Sequence, residues 1–252
     1  MSARVDEEEE KLAEGTLISH LLELRDRIVR AMIGVLLLFI PAVIWRNELF
    51  SVLVDPLLRE LKEGGQPIAT GVLSPFIAPI KLAFFTALFV AMPWVLYQAW
   101  AFVAPGLYRK EKRFAVPLLV SSIVLFYVGT AFAYFVVFPA AFHFLGTIAP
   151  EEIAQMPDIN EYVTFALTTF FAFGVAFEIP VVVVLLTLTG LVSVDKLRVA
   201  RGYVVIGVFV AAAVLTPPDP LSQILMAIPM WLLYEGGVLM ARLLGREKKE
   251  DA

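Results

Sequence analysis

The sequence predicts an all-α membrane protein with six transmembrane helices and both chain ends in the cytoplasm, and three observations carry that prediction. Of 252 residues, 60% are hydrophobic and only 17% are charged, with a mean hydropathy of +0.82. A soluble domain runs at about 45–50% apolar and about 25% charged, so the excess apolar surface here must face lipid. Six long apolar runs occur, at 28–45, 82–103, 114–139, 162–191, 203–215 and 221–240, against the roughly 20 residues that a hydrocarbon core of about 30 Å requires. Finally, sixteen of the twenty Lys and Arg residues stand before run one or in its first turn, between runs two and three, between runs four and five, or after run six. The positive-inside rule makes those segments cytoplasmic, and only an even number of spans does so.

Composition also excludes several classes. Twenty basic residues against 24 acidic ones leave a net charge of -4, without the basic footprint of a nucleic-acid-binding protein. Zero cysteines remove disulfide scaffolds, thiol catalysis and Cys-based metal sites.

In chain order, residues 1–19 form an acidic tail with Asp6, Glu7 to Glu10 and Glu14, read as a solvated, disordered cytoplasmic end and not as a signal peptide. Residues 20–241 form the six-span domain, and 242–252 form a basic cytoplasmic tail. After the first run, Phe50, Leu53, Val54, Leu57, Leu58 and Leu61 recur at helical spacing, which predicts an amphipathic helix lying in the outer interface. Asp55-Pro56 is expected to kink it. The second run is preceded by Ser74-Pro75, read as N-cap and first helical position.

Run four contains Glu178 followed by Pro180. A proline frees a backbone carbonyl one turn back, so this helix is expected to bend beside the carboxylate. An intramembrane acid costs about 2.5–3.5 kcal/mol on insertion scales and faces a cavity, a partner or a structural hydrogen bond. Run five has only 13 residues, a helix of roughly 20 Å, so the bilayer thins around it or its neighbours shield its ends. The segment from His143 to Asn160 carries no Lys or Arg, as expected of a connection left outside.

Catalytic machinery is not visible. The two histidines are His20 and His143, neither within a run, and no G-x-S-x-G, H-E-x-x-H or glycine-rich phosphate loop is present. Cofactors are not expected. At the cytoplasmic face Glu23 and Glu111 sit among Arg25, Arg27, Arg109, Lys110, Lys112 and Arg113. They either balance these neighbours or receive an arginine-rich ligand, to which carboxylates offer directional, charge-assisted contacts.

The segments HLLELRDR (20–27), SPFIAPIK (74–81), YQAWAFVAPGLYRKEKR (97–113), FYVGTAFAYFVVFP (126–139), FAFGVAFEIP (171–180) and LTPPDPLSQILMAIPM (215–230) closely resemble TatC, the multi-span receptor subunit family of the twin-arginine protein translocase. The resemblance covers nearly everything from Leu17 to Met240. It implies a glove-shaped six-helix protein of the cell inner membrane that binds twin-arginine signal peptides of folded cargo. With the single-span subunits TatA and TatB, within a multimeric receptor complex, it would export that cargo using the proton-motive force. Glu23 and Glu111 match the acids that receive the arginine pair, and Arg25, Phe102, Arg109 and Lys110 lie in the same motifs. Glu178, Asp219 and Gln223 match polar or partner-facing positions, and Pro56 and Pro93 structural ones. The alternative is an ion- or proton-coupled secondary transporter using Glu178, although the two halves of the chain show no internal repeat.

Overall fold

The computed structural model describes residues 2–60, 67–104, 115–141, 156–215 and 220–250, with side chains over 18–55, 67–104, 115–141, 156–214, 223–224 and 226–243. The order is α1 (Ser2–Ile44), α2 (Arg46–Glu60), α3 (Ser74–Val103), α4 (Ala115–Phe132), α5 (Ile159–Ala176), α6 (Ile179–Leu188), α7 (Val194–Val199), α8 (Arg201–Leu215) and α9 (Pro220–Glu250). After α4 the helix passes through a π-helical turn, Ala133–Val137, and continues to Ala141.

Among the described residues four helices are long and apolar enough to cross a membrane: Ile18–Ile44, Ser74–Val103, Ala115–Ala141 and Ile159–Leu188. These correspond to the first four apolar runs. Helix α8 is shorter, at 15 residues, as run five requires. The surface fits a lipid environment, since Ile33, Leu36, Leu37 and Ile40 of α1 and Ile206, Val210 and Val214 of α8 are exposed large hydrophobics that water would not tolerate as a continuous band.

Two expectations are corrected. The acidic tail is not a disordered end, because α1 begins at Ser2 and runs unbroken past residue 19. Its Glu, Lys, Ala and Leu residues are good helix formers, and Glu7 precedes Lys11 by one favourable turn. The N-cap of α3 is Leu73, without a side-chain cap bond, and Ser74 is already helical. Helix α2 runs through Asp55-Pro56 to Glu60, and α9 runs to Glu250.

Helix α1 packs along α3, α4 along α5, and α6 along α9. Close approach between α1 and α3 comes from Gly34, where a Cβ would lie 2.5 Å from the Trp94 ring, while the Trp94 indole donates to the Arg30 carbonyl at 2.9 Å. The core is aromatic: Phe138 meets Tyr162 and Phe170 at 5.5 Å each, and Phe132 meets Phe173 and Phe177 at 5.7 Å each, a range in which ring quadrupoles add to area burial. The Tyr162 hydroxyl donates to the Leu53 carbonyl at 2.8 Å. That bond docks α2 onto α5.

The connections flanking α3 and α5 are clasped. Ile68 and Asp158 form a parallel bridge, and the Asp158 carboxylate accepts from the Thr70 amide at 2.8 Å, its hydroxyl at 2.5 Å, and the Asn160 and Glu161 amides at 2.8 and 3.1 Å. These bonds, the Thr70 hydroxyl first, hold the carboxyl down at about 2, because each favours the ionised form. Nearby, Lys81 reaches Asn160 at 3.1 Å and Thr164 at 2.7 Å.

Candidate functional site

The middle of α1 and the C-terminal end of α3 build the site. On α1, His20, Glu23 and Arg27 fall at i, i+3 and i+7 and therefore share one face. On α3, Gln98 and Phe102 are one turn apart. The two faces meet: the His20 and Phe102 rings stack at 4.3 Å with 21° between their planes, and the Arg27 guanidinium donates through Nη1 to Gln98 Oε1 at 3.4 Å.

Glu23 is partly buried, and its Oε1 accepts from Arg27 Nη2 at 3.3 Å. Among the described residues its Oε2 has no partner. Arg25, one of the candidate site residues, turns elsewhere: Nε and Nη2 both donate to Asp26 Oδ1, at 3.0 and 2.8 Å. The result is a half-buried carboxylate with a free oxygen, beside an aromatic shelf. That arrangement suits a guanidinium, which bonds carboxylates along its edge and stacks through its plane.

The structure thus brings Glu23 and Phe102 to one place. Arg109, Lys110, Glu111 and Asp219 lie outside the described residues. Pro56 is described by its backbone alone, within α2, and Pro93 lies inside α3. Gln223 is partly buried near the start of α9.

Where a bend is expected beside Glu178, the helix is interrupted, since α5 ends at Ala176 and α6 starts at Ile179. Proline at the second position of α6 donates no amide there, so the break costs little. Ser122 of α4 accepts the Trp100 indole hydrogen at 3.1 Å, and Glu178 Oε1 is buried without a hydrogen-bond partner among the described residues. An acid absent from the sequence reading also stands inside run six: Glu235 of α9 pairs with Arg201 of α8 at 2.5 Å. Its place in an apolar run was signal enough. Gln98, only 3% exposed, was legible too, as an isolated amide in an apolar helix at the spacing that meets Arg27.

The sequence model described as Sec-independent protein translocase protein (TatC) matches residues 19–229. The chain is 51% identical to the Sec-independent protein translocase protein TatC of Azotobacter chroococcum mcd 1, over 98% of this chain and 96% of that one. It is 49% identical to the protein of the same description from Escherichia coli strain K12, covering 93% and 92%. A solved structure described as Crystal Structure of Twin Arginine Translocase Receptor- TatC superposes with a TM-score of 0.81 at 35% identity, over 89% of this chain and 98% of that one.

Proposed function

Because the chain belongs to the TatC family of Sec-independent protein translocase proteins, we propose that it is the receptor that takes the arginine pair of twin-arginine signal peptides at the Arg-rich contact of α1 and α3. The observation that supports this most is the Glu23 carboxylate, partly exposed, with one oxygen free among the described residues and the His20–Phe102 stack beside it. Glu23 would bond one guanidinium edge-on while Phe102 offers a ring face. Glu111 supplies the second carboxylate, and Arg109 and Lys110 frame the site with it. A charge-assisted carboxylate contact is worth roughly 1.5–3 kcal/mol, and the bidentate geometry favours arginine over lysine.

The topology follows the charge pattern, and the partners and energy source follow the family resemblance. Six helices span the cell inner membrane, with α8 and α9 as the fifth and sixth, and both termini are cytoplasmic. TatA and TatB are the single-span partners, in a multimeric receptor complex that moves folded cargo with the proton-motive force. Glu178, Asp219 and Gln223 are the polar positions offered to partners or to neighbouring spans, and Pro56 and Pro93 shape their helices. The role is transport, not catalysis. The transporter alternative is not favoured, because family and relatives agree on protein translocation.

The test is binding of a labelled twin-arginine signal peptide and its twin-lysine variant to the protein in nanodiscs. The proposal expects arginine to bind more tightly, with the preference lost in Glu23→Ala and in Glu111→Ala. Equal binding of both peptides, unaffected by either substitution, overturns it.

A further inference from the structure

The Glu23 carboxylate already holds an arginine. Arg27 lies four residues on, the favourable order for a Glu–Arg pair on a helix, and its fork is divided: Nη2 to Glu23 at 3.3 Å and Nη1 to Gln98 at 3.4 Å. Both distances exceed the 2.7–3.2 Å of a well-formed N–H···O bond, so neither acceptor is held tightly. The Arg27 side chain is 23% exposed and that of Glu23 is 36% exposed. Gln98 is almost fully buried, and its carbonyl oxygen has two lone pairs for donors. Arg25 is committed to Asp26, which leaves Arg27 as the guanidinium on Glu23 among the described residues.

We propose that Arg27 is a resident guanidinium that occupies Glu23 in the empty receptor and yields it to an incoming signal-peptide arginine by moving fully onto Gln98. This rests on the receptor reading above. The exchange replaces like with like. A single long contact within one helix gives way to a bidentate pair across the interface, and the half-buried acid is never left without a donor, which would carry a desolvation penalty. Lysine gains less from the exchange, because its ammonium is a point donor and cannot span both carboxylate oxygens as a planar fork does. The resident arginine therefore raises the threshold that a ligand must clear, and arginine clears it better than lysine. Arg27 and Gln98 act through Glu23 and are positioning residues that set the affinity for the ligand.

The test measures both peptides on variants in nanodiscs, with melting curves to verify folding. Arg27→Gln frees Glu23, and Arg27→Lys keeps the charge but loses the fork. Both are expected to tighten the binding of both peptides about two- to five-fold, the range set by a partly exposed ion pair that either ligand has to displace. Arg30→Gln removes the same charge about one turn away and is expected to leave both affinities unchanged. Gln98→Leu is expected to weaken twin-arginine binding in the wild type and to have no effect beside Arg27→Gln. If Arg27→Lys binds as the wild type does, or Arg27→Gln binds more weakly, Arg27 merely props Glu23 and the proposal is overturned. Should wild-type binding ignore Glu23→Gln, the receptor site itself is misplaced and both readings fall.

Discussion

The α4–α5 contact offers a quantitative test, since two glycines set how closely these helices approach. A Cβ added at Gly129 would stand 2.5 Å from the Phe173 carbonyl oxygen and 2.8 Å from Phe177 Cγ, and one at Gly174 would stand 2.6 Å from the Phe126 ring. Real Cβ atoms essentially never come within 3.0 Å of such neighbours, so Gly129→Ala requires local movement of at least ~0.5 Å, the difference between 3.0 and 2.5 Å. The obstructing atom is backbone and has no rotamer to change, so the helices themselves must part. Phe126 and Phe173, at 1% and 0% exposure, then lose contact on both sides. Overpacking of this kind costs about 1–3 kcal/mol. Thermal unfolding in nanodiscs should show Gly129→Ala and Gly174→Ala destabilised by that amount. Gly236→Ala, where nothing lies within 4 Å of the added atom, should be neutral or slightly stabilising, because alanine loses less backbone freedom in a helix. Melting of Gly129→Ala at the wild-type temperature would refute the reasoning, since the interface would then be looser than its geometry states.

Other predictions address the polar links. Asp158 has a carboxyl held down at about 2; the folded value is lowered, so its contribution is complete above the ordinary carboxylate value of about 3.9 and is lost as pH falls toward 2. Spin-label distances between residues 69 and 160 should stay constant from pH 8 to pH 4 and broaden only below that, whereas broadening at pH 5 would contradict the four-bond clasp. Asp158→Ala should speed hydrogen exchange at the Ile68 and Thr70 amides, and unchanged protection would count against it. Ser122→Ala leaves the buried Trp100 indole without its acceptor, for a loss of about 1–3 kcal/mol read by denaturation. Stability equal to wild type would show that water takes its place.

Much of this was legible in the sequence because bilayer-spanning helices obey one dominant rule. The first four apolar runs became four long helices, since unpaired backbone in lipid leaves few alternatives. Glu178 with Pro180 announced the break between α5 and α6 through the missing amide. The acidic tail was misread because charge suggests solvation, while the propensities of Glu, Lys, Ala and Leu favour a helix continuous with α1. Arg27 was passed over as one base among many, because its role depends on Gln98, 71 positions away. The clasp at Asp158 joins residues 88 apart, and no local pattern encodes such a pairing. Glu235 escaped notice inside an apolar run, where its partner Arg201 belongs to a different helix.

The proposed receptor takes the arginine pair at the α1–α3 contact carrying Glu23 and Phe102, on the cytoplasmic side. That placement is tested most directly by a photo-reactive phenylalanine analogue placed in turn at Phe102 and at Ala69, in membranes supplied with a twin-arginine precursor. A site at Glu23 and Phe102 gives a cross-link from position 102 to the arginine region of the signal peptide, diminished when the arginines are lysines, and none from position 69. A cross-link from position 69, or one from position 102 that is indifferent to the arginines, would contradict it.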